Sequence, residues 1–392
     1  MEKRAMIYLI LPRGNMFGWG LCGKYLVKEI AALTDIKYIT KEFNVDEIGD
    51  ELDFHFLGRK LIKADEVGML SSGALKEVDF PILQAIPNHT LEPWLIHLGG
   101  SFKAGYTFFE RDVLTPEYIQ NGKTNFDLVI TGSSWCEEVL RNHGLTDVKT
   151  VIQGIDPQLF NPSHSEKGYF NDQFVIFSGG KFELRKGQDI VIKAFKVLQD
   201  RHSDVMLVNC WYNPWPEIMK TMQSSPYAKI EISTDNYQNS INKILIDNQI
   251  DLSKVITMMP RPNAQMARIY KNTDIGLFTN RCEGGTNLVL MEYMACGKPV
   301  IASYSSGHKD ILAKDNSIII EKMKQFIIES ADTDTITWDD PDLEETISHL
   351  EWSYQHRDEI KSIGEKAGSD LAKLTWAKSG REFFELLTQK KI

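Results

Sequence analysis

Cysteine is scarce in this chain of 392 residues: there are five, at Cys22, Cys136, Cys210, Cys282 and Cys296, and no two are spaced as CxxC. An odd, scattered set excludes a disulfide framework and a zinc ribbon, and it fits reduced thiols in a cytosol-like compartment. Long apolar runs are missing as well; none reaches the ~18 residues that a membrane-spanning helix needs. The short apolar run between Arg4 and Pro12 is followed by no small-residue cleavage site, so it reads as a buried first strand of a soluble, cytoplasmic protein. Positive charge is in deficit, with 44 Lys and Arg against 54 Asp and Glu and a net charge of −10, which argues against a nucleic-acid partner. The nine histidines include no HExxH and no spacing with cysteine that would hold zinc. No solenoid-length repeat or low-complexity tract is present.

What remains is an ordinary globular composition, 42% apolar and 25% charged, in a chain long enough for two domains that each bury a core. The first half opens with AMIYLIL (5–11), a Gly-rich loop (14–23) and the helical pattern KYLVKEIAAL. Apolar runs follow at 36–40, 80–86, 103–109 and 126–132. Residues 156–173 are polar and Pro-bearing, as an interdomain linker is. The pattern then restarts with FVIFSGG (174–180), the amphipathic QDIVIKAFKVLQDR, and strand-like runs at 205–210, 255–260, 275–280 and 299–305. Short apolar runs alternating with helical patterns predict two parallel, doubly wound α/β sheets with a ligand crevice at the carboxyl ends of their strands. Residues 329–345 read as acidic and irregular.

The stretch RCEGGTNLVLMEYMACGKPVIAS (281–303) carries the most chemistry. Gly284 and Gly285 permit a tight turn, Thr286 and Asn287 suit a helix N-cap, and Leu288 opens the helix. Amides at such a terminus, with the helix dipole, suit a phosphate. Glu292 has no charged residue among its four neighbours on either side, so its helix is expected to be buried nearly all round. A carboxylate there needs a partner, either a ribose diol or a structural Lys or Arg. In SGGKFELRKGQ, three cations (Lys181, Arg185, Lys186) sit between a strand and a helix, where they could meet a diphosphate or simply be solvated.

These two segments together resemble the signature of retaining GT-B glycosyltransferases, family 4 in particular. The resemblance implies two Rossmann-like domains facing each other across a cleft: residues 1–165 on the acceptor side, 166–365 on the nucleotide-sugar side, and 366–392 as a closing helix that packs back. It implies that Glu292 holds the donor ribose, that Glu283 sits beside the donor sugar, and that Lys181, Arg185 and Lys186 clamp the diphosphate. Eight residues separate Glu283 from Glu292, one more than the family's usual form, which places an extra residue in the turn. The nucleotide base is expected near residues 259–262, with Arg261 on the donor side. The implied activity is front-face transfer of a hexose to a glycan, lipid-linked or protein-linked acceptor, without a metal or other cofactor. GDP-mannose is slightly favoured as donor and UDP-glucose comes next. Peripheral membrane contact and oligomerisation stay open.

Other features compete with this reading. Gly18, Gly20 and Gly23 spell GxGxxG, but six residues separate the fingerprint from the strand that it should follow directly, which weakens an NAD-dependent oxidoreductase. In the transferase reading the same loop brings Gly18, Trp19 and Gly20 to the donor phosphates. A non-catalytic two-lobed sugar-binding protein would share the cleft. Asp332, Thr333 and Asp334 spell a metal-binding DxD but fall in the irregular stretch and read as a solvated loop. His97, before a Gly pair, and Glu110, at a strand's carboxyl end, are the acceptor-side candidates.

Overall fold

A computed structural model describes residues 6–62, 76–232 and 236–389. Ala5, the first residue of the expected opening strand, and the last three residues of the expected closing segment lie outside them. The first sheet is formed by β1 (Met6–Ile10), β2 (Asp35–Ile39), β3 (Lys76–Ala85), β4 (Leu98–Thr107), β5 (Leu128–Thr131) and β6 (Val148–Thr150), in the order β2-β1-β3-β4-β5-β6. The second contains β7 (Phe174–Gly179), β8 (Val205–Cys210), β9 (Val255–Thr257), β10 (Ile275–Phe278), β11 (Val300–Ser303) and β12 (Ile318–Ile320), in the order β12-β11-β10-β7-β8-β9. All pairings within both sheets are parallel.

Strand β7 is buried along its whole length, which is why it reads as an unbroken apolar run with a helix layer on each face. The second sheet has the strand order of dinucleotide-binding domains, and its order reverses between β7 and β10. The first reverses between β1 and β3. Loops leaving strands at such a switch point open a crevice, and here the two crevices face one another.

The Gly-rich segment differs from expectation: the helix begins at Gly18 instead of after Gly23. A Cβ at Gly23 would stand 1.8 Å from the Pro12 carbonyl oxygen, and one at Gly20 would stand 2.9 Å from the Arg13 backbone. These two glycines let the helix Gly18–Leu33 lie directly against the chain leaving β1. That contact offsets the roughly 1 kcal/mol that each glycine costs a helix.

The stretch expected to be irregular is an antiparallel hairpin, β13 (Met323–Ser330) and β14 (Asp334–Pro341), with Phe326 opposite Trp338 and Ile328 opposite Ile336. In β14 threonines alternate with Ile336 and Trp338, a period of two that the acidic residues on either side of it hid. The chain passes between the sheets through residues 156–173 and returns at its end. The helix Trp376–Thr388 packs on the N-terminal domain, with Trp376 stacked on Tyr25 at 5.2 Å and Phe383 edge-on to Tyr106 at 4.8 Å.

Candidate functional site

A cavity of about 710 Å³ lies between the carboxyl ends of the two sheets. On its C-terminal side the chain leaves β7, makes one tight turn at Leu184–Lys186, and enters the helix Gln188–Arg201 through Gly187. Gly187 has φ +71°, and a Cβ there would stand 1.9 Å from the Thr279 carbonyl oxygen, so this turn lies flat on the exit of β10. The cations of the first loop thereby meet the carboxylate of the second.

Lys186 Nζ donates to Glu283 Oε1, and Arg185 Nη1 reaches Glu283 Oε2 at 3.1 Å. Asn280 Nδ2 donates to the same carboxylate. Burial alone would push the Glu283 carboxyl up, but Lys186 and Arg185 bring it down to about 2. Arg185 also pairs with Glu183 at 2.7 Å and faces Glu110, across the cleft, at 3.5 Å. Lys181 lies 3.6 Å from Glu183 and 5.1 Å from the centre of the Trp215 ring.

Glu292 lies on the helix Leu288–Ala295, buried on nearly every side, and it also borders the cavity. Its partners are an amide and a phenol instead of a Lys or Arg: Asn263 Nδ2 donates at 2.6 Å and Tyr270 OH at 3.2 Å. Neither carries a charge, and burial pushes the carboxyl up to about 8. Asn287 stands at the N-cap with φ +63° but does not cap. Its Nδ2 lies instead 3.2 Å from His308 Nε2. A helix start without a side-chain cap presents first-turn amides, and Asn287, Leu288 and Val289 line the cavity there. The left-handed Asn287 sits in the turn that holds the extra residue between Glu283 and Glu292.

Gly18, Trp19, Glu110, Lys181, Arg185, Lys186, Arg261, Glu283, Gly285, Asn287, Leu288 and Glu292 thus border one cavity. Four expected site residues do not. Gly20 is used in helix packing. Ser133 Oγ donates to the Gly284 carbonyl at 2.7 Å, and Thr286 donates through its amide and hydroxyl to Gln153 Oε1, each at 3.3 Å. Both hold the N-terminal domain in place. His97 immediately precedes β4, at its amino end, a strand's length from the cleft. The oxidoreductase fingerprint dissolves for the same reason as the Gly-rich loop, because two of its three glycines are packing contacts.

Glu183, Asn263, Tyr270 and Trp215 were not read from the sequence. Glu183, between Lys181 and Arg185, was open to the same argument as its neighbours. The other three reach the cavity only through the fold. Phe17 meets Trp215 at 5.1 Å, and the Asn263 amide donates to the Asn15 carbonyl at 2.9 Å, so the two domains touch along this edge.

The fold is that of GT-B glycosyltransferases, two parallel six-stranded sheets with facing crevices. The sucrose-phosphate synthase of Thermosynechococcus elongatus superposes with a TM-score of 0.69 at 15% identity, covering 98% of each chain. Anabaena Alr3699/HepE in complex with UDP-glucose superposes with a TM-score of 0.63 at 14% identity, covering 98% of this chain and 99% of that one. Residues 161–339, in the C-terminal half of the chain, match the family of glycosyl transferases group 1. D-inositol 3-phosphate glycosyltransferase 1 of Catenulispora acidiphila is 26% identical over 165 residues, which are 41% of this chain and 36% of that protein. The D-inositol 3-phosphate glycosyltransferase of Paenarthrobacter aurescens is 26% identical over 188 residues, 46% of this chain and 41% of that protein. The match thus spans less than half the length of these curated relatives.

Proposed function

We propose that the protein is a retaining glycosyltransferase that moves a hexose from a nucleotide diphosphate sugar to an acceptor hydroxyl. The observation that carries this reading is the convergence on one cavity of Lys181, Arg185, Lys186 and Glu283 with the uncapped helix that bears Glu292. The cations and first-turn amides take the diphosphate, Glu292 accepts from the ribose hydroxyls, and Glu283 stands where the sugar meets the phosphate. The acceptor oxygen bonds to the anomeric carbon as the bond from that carbon to the phosphate oxygen breaks. The acceptor proton passes to the departing phosphate oxygen on the same face. Charge grows on the diphosphate in the transition state, so fixed cations beside it accelerate the step.

The base would lie against Met258, Met259 and Arg261, which border the cavity beyond Cys210. GDP-mannose and UDP-glucose are the two donors in view; the family's breadth gave the first a slight preference, and the solved complex of HepE with UDP-glucose speaks for the second. The reaction as proposed needs no metal. Calorimetric titration with UDP, GDP and NAD tests the class: saturable UDP or GDP binding is expected, whereas tight NAD binding with no response to either nucleotide would sink it. A panel of nucleotide sugars, read by release of the nucleotide, then identifies the donor.

A further inference from the structure

The hairpin β13–β14 leaves the C-terminal domain and crosses to the N-terminal one, where its tip is held fast. Arg111 donates through Nη1 and Nη2 to the two carboxylate oxygens of Asp332, at 2.9 and 2.8 Å. Nη2 also reaches Thr333 Oγ1 at 2.7 Å and Ser330 Oγ. Tyr118 OH donates to Asp332 at 2.6 Å, and His89 Nε2 lies 3.3 Å from the same carboxylate. Nearer the hairpin's base, Trp338 Nε1 donates to the Glu110 carbonyl at 2.9 Å, and the Thr337 amide donates to Asp112 Oδ1 at 2.8 Å. Trp338, Ile336, Ser330 and Glu329 thereby become the outer wall of the cavity opposite the donor loops.

The charge on this side is lopsided. The other cations of the cavity, Lys181, Arg185, Lys186 and Arg261, all stand on the C-terminal domain. Among the described residues, Arg111 is the one Lys or Arg that the N-terminal domain and the hairpin bring to the cavity, and Asp332 neutralises it in two-pronged geometry. His89 adds no charge near neutral pH, because burial and Arg111 hold its imidazole below the usual range. The carboxylates on this side are Glu329 and Glu110, the latter 3.5 Å from Arg185 across the cleft, beside an indole and an isoleucine. A second anion entering here would meet like charge, whereas sugar hydroxyls could donate to the carboxylates while the ring lies on apolar surface.

Resting on the transferase reading, we propose that this half of the cavity selects an uncharged, hydroxyl-rich saccharide as acceptor and rejects phosphorylated ones, with Asp332 holding the place on Arg111 that a phosphate would take. Selectivity of this kind comes from the repulsive element as much as from the attractive one. It would set the chain apart from the curated relatives, which are named for inositol 3-phosphate.

The test titrates glucose 6-phosphate into the full-length protein saturated with UDP or GDP, so that the donor phosphate site is already filled. Wild-type protein should show no saturable uptake in the millimolar range. Asp332→Ala and, as the milder change, Asp332→Asn free Arg111 and should tighten binding at least about tenfold. The double variant Arg111→Ala/Asp332→Ala should lose that gain. Saturable binding by wild-type protein, or no gain in either single variant that still binds nucleotide, overturns the proposal. Failure of wild-type protein to bind any nucleotide strikes instead at the transferase reading on which it rests. In turnover, uncharged acceptors should outperform their phosphate monoesters at least about tenfold in kcat/KM, and the reverse preference overturns the proposal.

Discussion

The two domains share an architecture and solve different problems with it. In the C-terminal domain Lys181, Arg185, Lys186, Glu283 and the helix that bears Glu292 come from the segments after β7 and β10, the strands that flank the switch point, and each group is contiguous in sequence. In the N-terminal domain the loops after β1 and β3 also reach the cavity, but they bring Asn15, Phe17, Asn88 and His89. They leave the cavity wall to be finished by Trp338, more than two hundred residues away. One side is a local charge device and the other is an assembled surface. Fixed diphosphate chemistry can be met by the first, whereas a surface assembled from distant segments can be reshaped without disturbing the donor loops.

The largest expected effect falls on the charge device. Lys186→Ala should lower kcat by roughly 10²–10³, the scale of losing one preorganised donor. The variant also leaves Glu283 buried with Arg185 and Asn280 as its remaining partners. A normal kcat with a raised KM would transfer the leaving-group role to Arg185 or Lys181 and weaken the contrast between the domains.

Next comes the proton on Glu292. Its carboxyl is pushed up to about 8, so at neutral pH the free protein holds it protonated, while a ribose diol that donates to it requires the carboxylate. Nucleotide binding should therefore release a proton below pH 8, and affinity should fall up to about tenfold for each unit that pH drops below 8 and level off above it. Calorimetry in buffers of different ionisation enthalpy measures that proton, and Glu292→Gln should abolish the slope. For stability the sign is separate: the contribution of Glu292 is full below its ordinary value of 4.5 and is lost as pH rises through about 8. That of Glu283 is present above 4.5 and is lost as pH falls toward about 2.

Smaller effects compare the two scaffolds directly. Gly23→Ala in the N-terminal domain and Gly187→Ala in the C-terminal one should each destabilise by about 1–3 kcal/mol, because both place a methyl group on a carbonyl. Urea unfolding should show one transition, since the helix Trp376–Thr388 and the hairpin tie the domains together. Two separated transitions, each moved by its own glycine, would show that they fold as independent units. The smallest expected effect is none at all: donor turnover should persist in excess EDTA, and its loss with rescue by Mn²⁺ would mean that the phosphate loops had been misread.

The difference between the domains also governed how much could be read in advance. FVIFSG, QDIVIKAFKVLQDR and VMLVNC fold over the residues expected, because a buried parallel strand and an amphipathic helix are written in local periodicity. Glu283 and Lys186 were legible because each belongs to a short motif at a strand's end. Gly284 and Thr286 belong to the same motif and were misplaced, since only the docked domain shows that Ser133 and Gln153 take their hydrogen bonds. The DxD at the hairpin tip was read as solvated because nothing near Asp332 in sequence foretells Arg111.

The amino-acid sequence by itself therefore determined the two α/β sheets, the linker between them, and the cations and carboxylates at the strand ends, because each is set by neighbours within a few residues. Only the tertiary structure decided that Glu292 is satisfied by Asn263 and Tyr270, that the Gly-rich segment is a packed helix start, and that the acidic stretch is a hairpin closing the cleft. Those outcomes depend on burial and on contacts between distant segments, whose energies exist only once the two sheets face each other.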